Sequence, residues 1–281
     1  YFKYFFMKIK QLLTICLLLL VVVNTNAQEN KRNFKIQTVA FYNLENLFDT
    51  INDTNKNDEA SPIMEIKFNR EKIYKEKISN MAKVISEIGL EVTKRPPSII
   101  GICEVENKTV IEDLIADDRL KNYNYGIVHY ESPDDRGIDV GLLYNKNIFR
   151  IKNSNSHEVY ITDNNSDKRR NTRDQLVVSG FFDGELMHFI INHWPSRGAD
   201  ETKRIAAAKV NNLIIDSLRN EYENPKIITM GDFNDDPFDK SIKKILGAKK
   251  NISDVNKNDM YNPFETILVD DGIGTNAYRD K

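Results

Sequence analysis

Four polar clusters interrupt this chain where runs of strand-forming residues stop. They are Asn43-Leu44-Glu45, Glu104-Val105-Glu106-Asn107, Asn192-His193-Trp194-Pro195-Ser196-Arg197 and Asp232-Phe233-Asn234. Carboxylates and amide oxygens with few soft donors suit a hard divalent cation, Mg²⁺ foremost, with Mn²⁺ or Ca²⁺ as alternatives. The chain has no paired cysteines and no His-x-x-x-His spacing, which argues against a structural zinc site. A hard cation held by carboxylates serves phosphoryl chemistry, because it neutralises the anionic phosphorus centre. In such a site a short Asp can act as a base, while an amide fixes geometry without titrating.

Each cluster also has a plain structural reading. Asn43 and Glu45 are ordinary turn residues, and Asp232 with Asn234 suits an Asx-turn continued by Asp236-Pro237. Glu104 is harder to dismiss, since it follows the apolar run Ser98–Cys103 directly, where an unpaired charge is costly. His193 is followed by Pro195-Ser196, a rigid exit from its strand. Arg136 precedes another apolar strand, and its planar fork suits a phosphate as well as it suits solvent. Lys168-Arg169-Arg170 with Arg173 is the densest basic patch, read first as a solvated loop and second as contact with a polyanion.

The elements that must present these residues follow from pattern. Strands are expected over 35–43, 98–103, 123–131, 139–144, 149–160, 175–182, 185–194 and 225–233, the last of them buried. Asp183-Gly184 is the dipeptide of a two-residue hairpin. Helices are expected from an Asn69 cap to Gly89, over 109–120, from Asp200 through Leu218, and in a short turn from Asp239 to Gly247. The apolar face of the third carries Ile205, Ala208, Val210, Leu213, Ile214 and Leu218. Residues 49–61, 153–156 and 162–171 are polar enough for surface loops, and the last thirty residues are strand-poor. Strand–helix–strand units alternating with hairpins give a one-domain α/β fold with mixed sheets.

Taken together and in order, Tyr42-Asn43-Leu44-Glu45-Asn46-Leu47-Phe48, Cys103-Glu104-Val105-Glu106, Asn192-His193-Trp194-Pro195-Ser196 and Gly231-Asp232-Phe233-Asn234 resemble the endonuclease/exonuclease/phosphatase superfamily. The resemblance covers 34–281 and implies a four-layer α/β/β/α sandwich of DNase I type, with its site at one edge. It implies that Glu104 holds the metal with Glu45 near it, and that Asn43, Asn192 and Arg136 contact substrate phosphate. His193 would stabilise phosphoryl charge, Asp232 would orient or deprotonate the attacking water, and Asn234 would assist it. The pattern also implies closing strands bearing an Asp and a Ser-Asp-His type motif. The four histidines, His129, His157, His188 and His193, all precede Gly231. The expectation is therefore a chain cut short of its last strands and poorly active by itself.

Met7, Lys8 and Lys10, the apolar run Leu12–Val23 and Thr25-Asn26-Ala27 read as a secretory signal over 7–27. Removing 27 of the 281 residues leaves 254, enough for one large core. It also removes three lysines and no acid, so a formal charge of −2 becomes −5. That balance lacks the overall basic field of a tight nonspecific DNA binder. Only Cys103 survives, so no internal disulfide forms. The expected protein is an exported monomer, periplasmic or extracellular, without stable membrane insertion. It hydrolyses phosphoesters, with a nuclease-like phosphodiesterase first and nucleic acid among its candidate substrates. The alternatives are a phosphatase or sphingomyelinase-like enzyme of the same fold, or a non-catalytic binding protein that keeps it.

Overall fold

A computed structural model describes residues 2–8, 10, 34–162 and 168–275. The chain divides into two units, residues 1–36 and 37–281. In the first, residues 2–8 are helical. The apolar run and cleavage residues of the expected leader lie outside the described residues. No helix among the described residues is long and apolar enough to cross a membrane.

The second unit is built on two four-stranded sheets. The first contains β1 (Val39–Leu47), β2 (Ile99–Val105), β3 (Tyr125–His129) and β4 (Asp139–Asn145), in the order β1-β2-β4-β3. After β5 (Phe149–His157), a small ribbon pairs β6 (Ile161–Thr162) with β7 (Arg169–Arg170). The second sheet joins β5 to β8 (Gln175–Phe182), β9 (Glu185–His193) and β10 (Lys226–Asp232), in the order β10-β9-β8-β5. Both sheets are mixed: β1 runs parallel to β2 and β10 parallel to β9, and the other pairs are antiparallel.

Alternation along each strand sorts the side chains into layers. Ile99, Cys103, Val140 and Leu142 of the first sheet meet Leu176, Val178, Phe189 and Ile191 of the second in one apolar cluster between the sheets. The opposite faces take the helices. Helices α1 (Arg70–Glu87) and α2 (Lys108–Ala116) bury Ile78, Ala82, Ile85, Val110 and Leu114 against Ile100, Ile102 and Leu143. Helix α3 (Glu201–Glu221) buries Ile214, Ile215 and Leu218 against Val177 and Ile190. The result is the four-layer α/β/β/α sandwich of DNase I type.

Several local expectations change in the folded chain. β10 lies at the edge of its sheet with only β9 beside it, so Ile227 onward is half-buried rather than buried. Residues 153–156 belong to β5, and their polarity reflects another edge strand. Asn69 occupies the cap position of α1 in a left-handed conformation and makes no side-chain cap bond. Leu213 is exposed on α3 while Arg204 and Asn211 are buried. The 49–61 loop hides Asp58. Ser241–Ile245 forms a π-helical turn, and α4 (Pro263–Asp271), capped by Asn262, occupies the tail. The Asp183-Gly184 hairpin forms in register, with Phe182 opposite Glu185.

Candidate active site

The strand directions bring one set of ends to one edge. β1 and β2 are parallel, as are β9 and β10, so Asn43 lies opposite Cys103 and Asp232 opposite His193. The β9 and β10 backbones close up at Gly231, where a Cβ would stand 2.3 Å from the Asn192 carbonyl oxygen. That approach explains why glycine precedes Asp232.

Asn43 ties the two sheets together. Its Nδ2 donates to Glu104 Oε1 at 3.0 Å and to Asp232 Oδ2 at 3.1 Å. Glu104 itself has a left-handed φ of 59°, and its Oε2 accepts the Asn46 N–H at 2.9 Å. Asp232 Oδ1 accepts the Asn234 N–H at 3.0 Å, and Asn234 Nδ2 donates to the Trp194 carbonyl at 3.0 Å. His193 Nε2 stands 3.6 Å from Glu104 Oε1. His193 is buried and its Nδ1 has no hydrogen-bond partner. Burial, then the nearby Arg173 and Arg136 charges, hold its pKa well below that of a free histidine. The ring is therefore neutral at physiological pH.

Glu104, His193 and Asp232 each offer a ligand atom within 4.8 Å of the others. Among the described residues, no lysine or arginine forms an ion pair with Glu104 or Asp232. Two converging carboxylates outside any lysine or arginine ion pair suit an external cation. The oxygen-rich donor set fits a hard divalent ion.

Two expected members stand apart from this group. Glu45 is exposed, and a left-handed φ of 51° turns it out of the strand, while only its backbone N–H bonds Asn43 Oδ1, at 2.8 Å. Asn192 is fully buried and faces α3 instead. Its Nδ2 donates to Thr229 Oγ1 at 3.0 Å, and its Oδ1 accepts from Asn211 Nδ2 at 2.9 Å and Trp194 Nε1 at 3.1 Å. Adjacent strand residues point to opposite faces, so Asn192 and His193 cannot both serve one pocket from that strand.

Arg136 is half-exposed, its charge acts on His193, and it shares Asp134 with Arg173, a residue expected in a solvated loop. Arg173 is buried, and the basic patch splits: Arg169 and Arg170 stay exposed. Arg173 Nη1 lies 3.4 Å from Asp134 Oδ2, and Nη2 donates to the Trp194 carbonyl at 2.7 Å. Arg136 Nε lies 3.3 Å from Asp134 Oδ1. The hairpin register was the available signal, because pairing Leu176 with Ile191 sets the start of β8 beside the end of β9.

A second acid–histidine group is formed by His129, Glu131 and Asp139. Buried Asp139 accepts from Ser132 N at 2.8 Å and Ser132 Oγ at 2.5 Å, and lies 3.0 Å from His129 Nε2. These bonds occupy its oxygens and fix the turn that carries Asp134 and Arg136.

A sequence model of the endonuclease/exonuclease/phosphatase family matches residues 38–281. The chain belongs to that family. Family members generally use divalent metal ions, in keeping with the acid and histidine groups found here. A search of curated proteins finds no match. Solved structures are similar to this chain at low identity. The human Nocturnin catalytic domain is 17% identical, with 59% of this chain and 63% of that one covered and a TM-score of 0.43. A mannosyl-6-phosphatase of Bacteroides thetaiotaomicron is 15% identical, with 76% and 70% covered and a TM-score of 0.49. ANGEL2, a 2′,3′-cyclic phosphatase, is 14% identical, with 74% and 55% covered and a TM-score of 0.49. The match thus spans less than two thirds of the Nocturnin and ANGEL2 chains.

Proposed function

We propose that this family member is an exported, Mg²⁺-dependent phosphoester hydrolase of phosphodiesterase, nuclease-like type, periplasmic or extracellular and monomeric. The reading is carried by one observation: Asn43 bridges two carboxylates, Glu104 and Asp232, that form no ion pair with a lysine or arginine among the described residues and lie beside a neutral histidine. A bound divalent cation would offset charge on the phosphoryl oxygens. Glu104 and Asp232 are the groups to hold it, and Asn43 keeps them at one spacing. Asp232 is placed to orient and deprotonate the attacking water. A neutral His193 protonated at Nε2 can donate to a phosphoryl oxygen, a bond that strengthens as charge grows in the transition state. Asn234 fixes Asp232 through its backbone N–H, and Arg136 offers a planar fork to the phosphate.

The test takes the protein as it is made in the cell. It is assayed on DNA, RNA, a small phosphodiester, phosphate monoesters and sphingomyelin, with Mg²⁺, Mn²⁺ or EDTA. Asp232→Ala serves as the comparison. Hydrolysis that needs the cation and falls by about a hundredfold or more in the variant supports the reading. Turnover that survives EDTA, or that Asp232→Ala leaves unchanged, sinks it.

A further inference from the structure

A lysine outside every motif braces the acid pair. Lys77 rises from α1, and its Nζ donates to the Glu45 carbonyl and, at 3.1 Å, to the Asn46 carbonyl. Those two residues are non-glycine and left-handed, with φ of 51° and 57°. Asparagine adopts that region readily, but for Glu45 it is disfavoured and needs its surroundings to hold it. Here the pairing of β1 with β2 breaks between Asn43 and Leu47, so the bulge lacks ladder partners. In exchange, the Asn46 N–H is freed to bond Glu104 Oε2 at 2.9 Å.

We propose that Lys77 is a positioning residue for the acid pair. Clamped on two carbonyls, its ammonium holds the bulge in the one geometry that aims the Asn46 N–H at Glu104 and Asn43 at both acids. Without it, the carbonyls turn to water and the bulge relaxes toward a regular strand, which draws Asn46 away from Glu104. The carbonyls lie near the surface and water can replace the ammonium, so the loss falls on the orientation of Glu104 more than on folding. The inference rests on the reading that Glu104 helps to hold a divalent cation.

The test measures Mn²⁺ binding by electron paramagnetic resonance of the free ion, with thermal unfolding in parallel. Four proteins are compared: wild type, Glu104→Ala, Lys77→Met, and Lys77→Cys before and after aminoethylation. That alkylation rebuilds a lysine-like ammonium, and treated wild type controls for Cys103. Lys77→Met is expected to weaken Mn²⁺ binding about tenfold, as loss of an outer-shell partner does. Its apo unfolding midpoint should stay close to wild type, and aminoethylation should restore affinity. Wild-type affinity in Lys77→Met, or affinity that aminoethylation fails to restore, overturns the role of Lys77 alone. If wild type binds no Mn²⁺, or Glu104→Ala binds it equally well, the cation reading fails and takes this one with it.

Discussion

Nε2 of His193 stands 3.6 Å from Oε1 of Glu104, the one at the end of β9 and the other at the end of β2, so this contact crosses from sheet to sheet. Neither residue is near the other in sequence. The expected behaviour of the site follows from such cross-sheet contacts.

Replacing His193 by Ala removes the neutral donor and leaves the acids in place. Turnover in the cation-loaded protein should fall by about two to three orders of magnitude, as for loss of one oxyanion donor. Steady-state kinetics should show the fall in kcat more than in KM. Unchanged turnover would remove His193 from the mechanism.

Asn43→Asp puts a third carboxylate where Nδ2 now bridges Glu104 and Asp232. Repulsion should lower the unfolding midpoint in EDTA, and Mg²⁺ should raise it by more than in wild type, because a bound cation relieves that repulsion. Calorimetry with and without Mg²⁺ checks both signs. A midpoint in EDTA equal to wild type would show that the three groups do not converge.

Glu106 provides the pH test. Burial, then the nearby acids Asp49, Asp58 and Asp53, push its carboxyl up to about 7, although the Asp49 N–H opposes them. A folded-state pKa above the unfolded one means stability present below about pH 4.5 and lost as pH rises through about 7. Glu106→Gln keeps an acceptor for Asp49 and cannot ionise. It should be the more stable protein at pH 8, by up to about 3 kcal/mol, and show no advantage at pH 4. Urea unfolding at both values decides, and equal stability at pH 8 refutes it.

His193 gives the opposite slope. Its depressed folded-state pKa stabilises the unfolded chain as pH falls below about 6.5, where a free histidine takes up a proton. Nitrogen chemical shifts should show the His193 ring still neutral at pH 6. A ring that titrates near 6.5 would mean that burial and Arg173 do not act on it as the fold implies.

Arg173→Met removes a buried charge from Asp134 and a donor from the Trp194 carbonyl. The cost should be about 3–5 kcal/mol, the usual result of breaking a buried pair from one side. A loss below about 1 kcal/mol in urea unfolding would show that Arg136 alone satisfies Asp134.

The residues that gather in the candidate cluster were legible as strand ends, and only their order, which resembles the family's motifs, tied them to one another. Asn43, Glu104, His193, Asp232 and Asn234 each follow a run whose apolarity marks a strand, and strand ends in such sheets gather polar groups. Glu45 was not legible, since nothing in Asn43-Leu44-Glu45-Asn46 announces two left-handed residues. Asn192 was decidable in principle: it neighbours His193, and period-two alternation sends it to the other face. Arg173 required the hairpin register, and Lys77 required knowledge of which helix covers β1.

The sequence by itself determined the one-domain α/β class with mixed strand pairing, most of the element boundaries to within a few residues, and which polar residues end the strands. Those depend on periodicity and turn chemistry within short windows; the two-sheet sandwich entered only through the family resemblance. Only the tertiary structure decided that β10 is an edge, that Arg173 is buried, that Glu45 and Asn192 leave the cluster, and that Lys77 reaches it. Burial, ion pairing and the protonation state of His193 depend on which groups meet through space. That was fixed when two sheets, joined by chain segments far apart in sequence, closed on one another.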